Sequence, residues 1–243
     1  MPNLRPALFA LLLVSGLGVA PAAGAPITTL FSTGVDDFAA LLPDYAADLH
    51  YTLVGSPAPF GVAPAVAVGT ADLPLTWVAN TLTSRWVNPD GVGGLMADWH
   101  PGGTYVYETT FSLTGFDPST VVIELAWAAD DASVPGTDYI MINGVALPPG
   151  GFGSGTGPDP GSYAGLHPKV LSAASSPFFL PGLNTLSFVV GNAGSPGPPF
   201  SGPTGLHVAI FSADAALLPE PGMASLLVIG LFVLAWTARR RIC

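Results

Sequence analysis

Residues 104–113 read T-Y-V-Y-E-T-T-F-S-L, and residues 121–128 read V-V-I-E-L-A-W-A. Both alternate apolar and polar side chains over much of their length. That is the period-two pattern of a strand with one buried face. Asp138 to Ile142 (D-Y-I-M-I) runs into Asn143-Gly144 and then Val145 to Leu147. Asn-Gly between apolar runs is the strongest short hairpin signal, because both turn positions need a positive φ. Further strand-like runs are Leu49 to Val54, Pro64 to Val68, Leu75 to Val78, Leu183 to Val190 and Leu206 to Phe211. Eight or so short strands with turn signals between them predict an all-β fold, an antiparallel β-sandwich or jelly roll. One stretch, Asp36 to Asp48, has some helical character. Asp36 could cap it, but Pro43 would break it within two turns, so it reads as a short helical turn or a loop. Pro148 to His167 and Gly191 to Gly205 read as long Gly/Pro-rich loops.

The chain holds 30 Gly and 26 Pro, which favours turns and opposes long helices. Its net charge of −10 is unevenly distributed. Arg5 and Arg239 to Arg241 belong to the ends. The body keeps Arg85 and Lys169 against fifteen acidic residues, a net charge of −13. Such a surface repels nucleic acid and anionic membranes, so nucleic-acid binding is excluded as a class. The single cysteine, Cys243, follows the terminal arginines, so no disulfide is available to the body.

The two ends differ from the body. Arg5 precedes an apolar run, Ala7 to Ala20, and small residues follow in Ala20-Pro21-Ala22-Ala23-Gly24-Ala25. These are the three parts of a secretory signal peptide, assigned to residues 1–25, and they imply the Sec export machinery. Both Ala20-x-Ala22 and Ala23-x-Ala25 fit a cleavage site. At the other end Pro219-Glu220-Pro221 precedes an apolar run from Met223 to Ala238 and then Arg239-Arg240-Arg241. Sixteen residues make a helix of about 24 Å, slightly short of a bilayer core, and arginines can snorkel to cover the difference. The arginines are expected on the cytoplasmic side of the inner membrane, leaving the body outside. The expected organisation is a signal helix, a sandwich domain over 26–215 and a tail over 216–243 with a transmembrane helix at 223–238.

The order of Pro-Glu-Pro, apolar helix and basic tail resembles the PEP-CTERM sorting signal. That resemblance covers 219–243 and implies recognition by exosortase, a membrane transpeptidase-like enzyme that processes its substrates near the motif. It implies sorting residues Pro219, Glu220, Pro221, Arg239, Arg240 and Arg241. It also implies passage through a membrane-anchored intermediate to the cell surface or an exopolysaccharide matrix. The related LPxTG motif is absent.

Within the body, the candidate chemistry is sparse. Asp130-Asp131 follow a strand, and Asp36-Asp37 lie near the start of the domain. Oxygen donors on loops suit Ca²⁺, although solvated or turn-capping aspartates are the readier explanation. Trp77, Trp86 and Trp99 lie in one segment with Arg85, Asn80 and Asn88. Flat aromatic faces stack on sugar rings, and Arg85 could hold hydroxyls, so Trp86, Arg85 and Trp99 form a candidate saccharide site. The competing reading is burial in the core, as expected for Trp127. His50, His100, His167 and His207 show no zinc spacing. No G-x-S-x-G elbow and no phosphate-binding glycine loop occurs. Glu108 and Glu124 could form a glycosidase pair, though both fall on exposed strand positions.

The succession Asp48-x-His50-Tyr51-x-Leu53, Trp77, Ser84-x-Trp86, Trp127 through Asp131, Ile142-Asn143-Gly144, Leu183-Asn184-x-Leu186 and Pro203-Thr204-Gly205-Leu206 looks like a galactose-binding-domain-like β-sandwich. The resemblance spans roughly residues 48–211. It implies a jelly roll with sugar-binding loops at one end and a structural Ca²⁺ as the cofactor. The resulting expectation is a non-catalytic surface or matrix sandwich that binds exopolysaccharide. A purely structural matrix or adhesion protein is the alternative, and a glycan-active enzyme is the third.

Overall fold

The computed structural model describes residues 24–92, 100–130, 139–147, 163–174, 178–192, 201–218 and 230–231. Its strands are β1 (Ala25–Pro26), β2 (Ala47–Gly55), β3 (Ala63–Ala67), β4 (Val87–Asn88), β5 (His100–Pro101), β6 (Gly103–Ser112) and β7 (Val122–Asp130). They continue with β8 (Tyr139–Ile142), β9 (Val145–Ala146), β10 (His167–Ser172), β11 (Leu183–Asn192), β12 (Ser201–Gly202) and β13 (Gly205–Ala215). Every pairing is antiparallel. The main sheet runs β10-β7-β13-β4-β3-β2-β6-β11-β8-β9, with β1 also on β13. It curls so that β10-β7-β13 faces β2-β6-β11-β8, and the short β3–β4 pair forms the corner.

The period-two residues decide which face turns inward. Tyr105, Tyr107 and Phe111 on β6 oppose Ile123, Leu125 and Trp127 on β7, and all are buried. Trp127 meets Phe188 of β11 across the layers at 5.6 Å between ring centroids, and Tyr51 meets Phe188 at 6.3 Å. Each such burial stabilises by roughly 1.5–3 kcal/mol relative to exposure. Burial also holds the Tyr51 and Tyr107 phenols well above their ordinary pKa. The register is pinned by the long β6–β11 ladder, Leu183↔Ser112 through Asn192↔Gly103. On β13 the register against β7 shifts between Ile210 and Ser212, and Phe211 points outward, 65% exposed.

Of the nine strand-like runs, eight map onto strands. Leu75 to Val78 is a turn, closed by Trp77 N donating to Pro74 O at 3.0 Å. That turn lets Trp77 fold back over the sheet. Asp36 to Asp48 forms no helix. Ala39 and Tyr45 adopt φ of 59° and 63°, and Val35 bridges to Leu41, so the helical ladder cannot propagate. The Asn143-Gly144 hairpin forms as read, with φ of 51° and 76°. The second long loop contains β12 and the end of β11, and the first ends in β10. The signal segment lies outside the described residues except for Gly24 and Ala25, and Ala25 belongs to β1. Of the predicted transmembrane run, only Gly230 and Leu231 are described, and both are helical. Among the described residues no helix is long and apolar enough to cross a membrane.

Candidate functional site

The chain leaves β3 at Ala67 and returns at β4, and the intervening excursion, 68–86, lies over the outer face of β7 and β13. Position 205 is glycine for a steric reason. A Cβ there would sit 2.7 Å from the Trp77 ring and 3.2 Å from the Trp86 ring. The two indoles stack with centroids 4.1 Å apart and planes tilted by 32°. Trp77 Nε1 donates to Asp130 Oδ2 at 2.7 Å, and Trp86 Nε1 donates to Val78 O at 2.8 Å. Trp86 N donates to Asn80 Oδ1 at 2.9 Å. Val68, Trp77, Trp86 and Ala128 thus form a second, smaller apolar cluster, with Tyr163 and Leu166 packed against it.

Trp86 is fully buried and Arg85 is 5% exposed. The two predicted sugar-binding residues therefore face inward, not to solvent. Arg85 ties three segments together. Its guanidinium donates to Leu42 O, to Val68 O and to the Asp44 carboxylate. Its backbone N donates to Thr33 O at 3.0 Å. The Arg85 hydrogen bond, with help from Thr70, holds the Asp44 carboxyl below its usual pKa. Trp99 lies outside the described residues.

Beneath the excursion, Ser84 Oγ lies 2.8 Å from His207 Nε2. The spacing is that of a nucleophile and its base. Both residues are fully buried, however, and His207 Nδ1 has no partner to orient the ring. Burial pushes the His207 pKa down to about 4, so the ring is neutral at ordinary pH. The pair closes a polar gap in a packed cluster and offers no substrate approach.

Among the described residues the predicted calcium ligands do not converge. Asp36 Oδ1 accepts the amides of Phe38 and Ala40, both at 2.9 Å, which makes it a turn cap. The Asp37 carboxylate is exposed and lies 3.4 Å from His50 Nε2. Asp130 is buried and holds Trp77. Asp131 lies outside the described residues. Among the described residues no group of three His, Cys, Asp or Glu is placed to hold a metal. Glu108 and Glu124 are likewise apart. Glu108 is on the outward face of β6, near Ser187 Oγ, and Glu124 is on the outward face of β7. The core lies between them, so they cannot flank one glycosidic bond.

Two polar centres had no sequence signal. His100, fully buried, lies 3.0 Å from Asp90 Oδ1 through its Nε2, and its Nδ1 has no partner. Asn192 donates to the carbonyls of His100 and Pro101, fastening β5 to the end of β11. At the opposite end an open depression of about 410 Å³ is floored by Phe179 and rimmed by Asp117 and Ser119. Ser119 already occupies Asp117 Oδ1 through its amide and hydroxyl, which hold that carboxyl below its usual pKa. Sequence alone could have flagged Asp117-Pro-Ser only as a turn cap.

No family model matches the chain, and no curated protein matches it. Among solved structures, CBM35 from Paenibacillus barcinonensis aligns over 68% of this chain and 96% of that one, with 16% sequence identity and a TM-score of 0.31.

Proposed function

We propose that this chain is an exported, non-catalytic β-sandwich, sorted through its Pro219-Glu220-Pro221 tail by exosortase to the cell surface or the exopolysaccharide matrix. The observation that carries the reading is where the fold begins and ends relative to the two export-type segments. The first strand starts at Ala25 and the last ends at Ala215, and those two residues pair with each other. The sandwich thus runs from the last residue of the proposed signal peptide, Ala25, to the start of the proposed tail, and leaves both ends on one side. In this reading the Sec export machinery and exosortase are the processing partners, and the inner membrane is a transient anchor. The sandwich then associates with exopolysaccharide through its exterior.

The burial of Trp86 and Arg85 favours a second reading, a structural matrix or adhesion protein without a small saccharide ligand. A structural Ca²⁺ belongs to neither reading as a requirement.

The test is made in cells. The chain, with an internal tag, is expressed in a host that has exosortase and in one that lacks it. The account expects release to the matrix fraction, with loss of residues beyond the Pro-Glu-Pro region by mass, only when exosortase is present. An intact, membrane-held chain in both hosts would make the tail a plain anchor and defeat the sorting reading. Matrix material that loses the protein on digestion of its polysaccharide, but not on mild sugar competition, would select the structural reading.

A further inference from the structure

The segment that leads out of the sandwich is strapped to it up to the residue before the Pro-Glu-Pro motif. Ala216 N donates to Thr120 Oγ1 at 2.8 Å, and Ala216 O accepts from Asp117 N at 2.8 Å. Leu217 bridges to Phe116, and Leu218 N donates to Gly115 O at 2.8 Å. Four residues, 219–222, then separate Leu218 from the apolar run that starts at Met223. Even fully extended they reach about 14 Å. A headgroup layer is roughly 5–8 Å thick on each side of the hydrocarbon core. A folded body on such a tether is held within about 10 Å of the headgroup surface, close enough for its near end to touch it.

The surface at that end is suited to the contact. Leu113 N donates to Gly182 O at 2.7 Å, which brings the 178–183 segment beside the 113–120 turn and the strap. Leu180 is 52% exposed, Leu183 69%, Leu217 56% and Leu218 49%. The turns 113–121, 178–182 and 216–218 carry one charged side chain, Asp117, although the body as a whole has a net charge of −13. The acidic surface elsewhere disfavours any other face against a bacterial bilayer.

We infer that this end of the sandwich is a membrane-seating surface: Leu180, Leu183, Leu217 and Leu218 rest in the headgroup layer of the bilayer that takes the tail's helix. The inference depends on the tail being a membrane helix, as in the sorting reading. It adds that the body is held end-on, with the strap and the cleavage motif at the membrane surface.

The test uses the full chain in phosphatidylcholine nanodiscs containing a headgroup spin-labelled lipid. In a Cys243→Ser background, single cysteines are introduced as Leu183→Cys, Leu180→Cys and Leu82→Cys and labelled with an environment-sensitive fluorophore. Leu82 is 93% exposed and lies in the 68–86 excursion, toward the Gly205 end of β13. The leucine surface lies toward the Ala215 end, and an eleven-residue strand spans about 36 Å. The expected result is loss of most of the fluorescence at positions 183 and 180 and little loss at 82. A disc-held chain with no quenching at 180 or 183, or with equal quenching at 82, overturns the end-on seating and leaves the anchor reading intact. A chain that does not stay with the disc overturns both.

Discussion

The molecule has two cores built on different rules. The main core lies between the layers and is supplied by alternate residues of regular strands: Tyr105, Tyr107 and Phe111 from β6, Ile123, Leu125 and Trp127 from β7. The second lies outside the sheet, under the 68–86 excursion, and is supplied by an irregular loop. It mixes two indoles with Asp130, Ser84 and His207, all buried and hydrogen-bonded. In the first, apolar area does most of the stabilising and each residue is replaceable by another of similar volume. In the second, position matters more. Each polar group has a particular partner, and losing that partner leaves a buried group unpaired. The comparison teaches that a tryptophan beside an arginine in a loop is as well suited to stapling an excursion onto a sheet as to holding a sugar.

The largest expected effect separates the two cores. Trp127→Ala should cost about 3–5 kcal/mol of global stability, measured by chemical denaturation. Trp86→Ala should cost about as much locally, but its signature should differ. Amides of 68–88 should exchange faster while the β6 and β11 amides keep their protection. Equal loss of protection in both regions would mean that the two cores unfold as one.

The pH dependence of the second core comes next. His207 titrates near 6.5 when unfolded and at about 4 when folded. The folded state therefore gains from His207 above pH 6.5, and that gain is lost as the pH falls toward 4. The full difference amounts to about 3 kcal/mol. Asp48 runs the other way. Burial raises its pKa, so its contribution is present at low pH and is lost as the pH rises through the folded value. The difference between the wild type and His207→Gln cancels the Asp48 part, and melting both from pH 7 to pH 4 should show the gap narrowing. A constant gap would contradict the burial of a neutral imidazole.

Gly205→Ala should cost about 1–3 kcal/mol, because the new methyl meets both indole rings and the rings must shift. The smallest effect is expected for Glu108→Ala and Glu124→Ala. By thermal melting, replacing the exposed Glu124 should change stability by no more than about 0.5 kcal/mol, and replacing the half-buried Glu108, which accepts from the buried Ser187 hydroxyl at 3.3 Å, by about 1 kcal/mol. Neither should alter any glycan-cleaving signal in the preparation.

The main core was legible because its signal is local. Alternation in 104–113 and 121–128 fixes strand and inward face together, and Asn143-Gly144 fixes a turn. The second core was not legible, because its contacts are distant in sequence. Trp77 meets Asp130, and Ser84 meets His207, through a loop whose path no periodicity encodes. Leu75 to Val78 read as a strand because it is apolar, yet its apolar residues serve a turn. The strand at His167–Ser172 was hidden at the end of a glycine-rich stretch, with Pro168 inside it, as an edge strand tolerates. Asp36 and Asp37 showed only that oxygen donors were present, and whether such donors converge is set by tertiary structure.

The central claim is that the tryptophan pair is interior support for the sandwich and not an open sugar site. Hydrogen exchange, followed by mass spectrometry with and without the host's exopolysaccharide, tests it most directly. Val68 N donates to Trp86 O at 2.9 Å, Arg85 N to Thr33 O at 3.0 Å and Trp86 N to Asn80 Oδ1 at 2.9 Å. Slow exchange is expected at these three amides in the free protein, with no change when polysaccharide is added. Fast exchange in the free protein that slows on addition would show the indoles opening to take sugar, and would contradict the account.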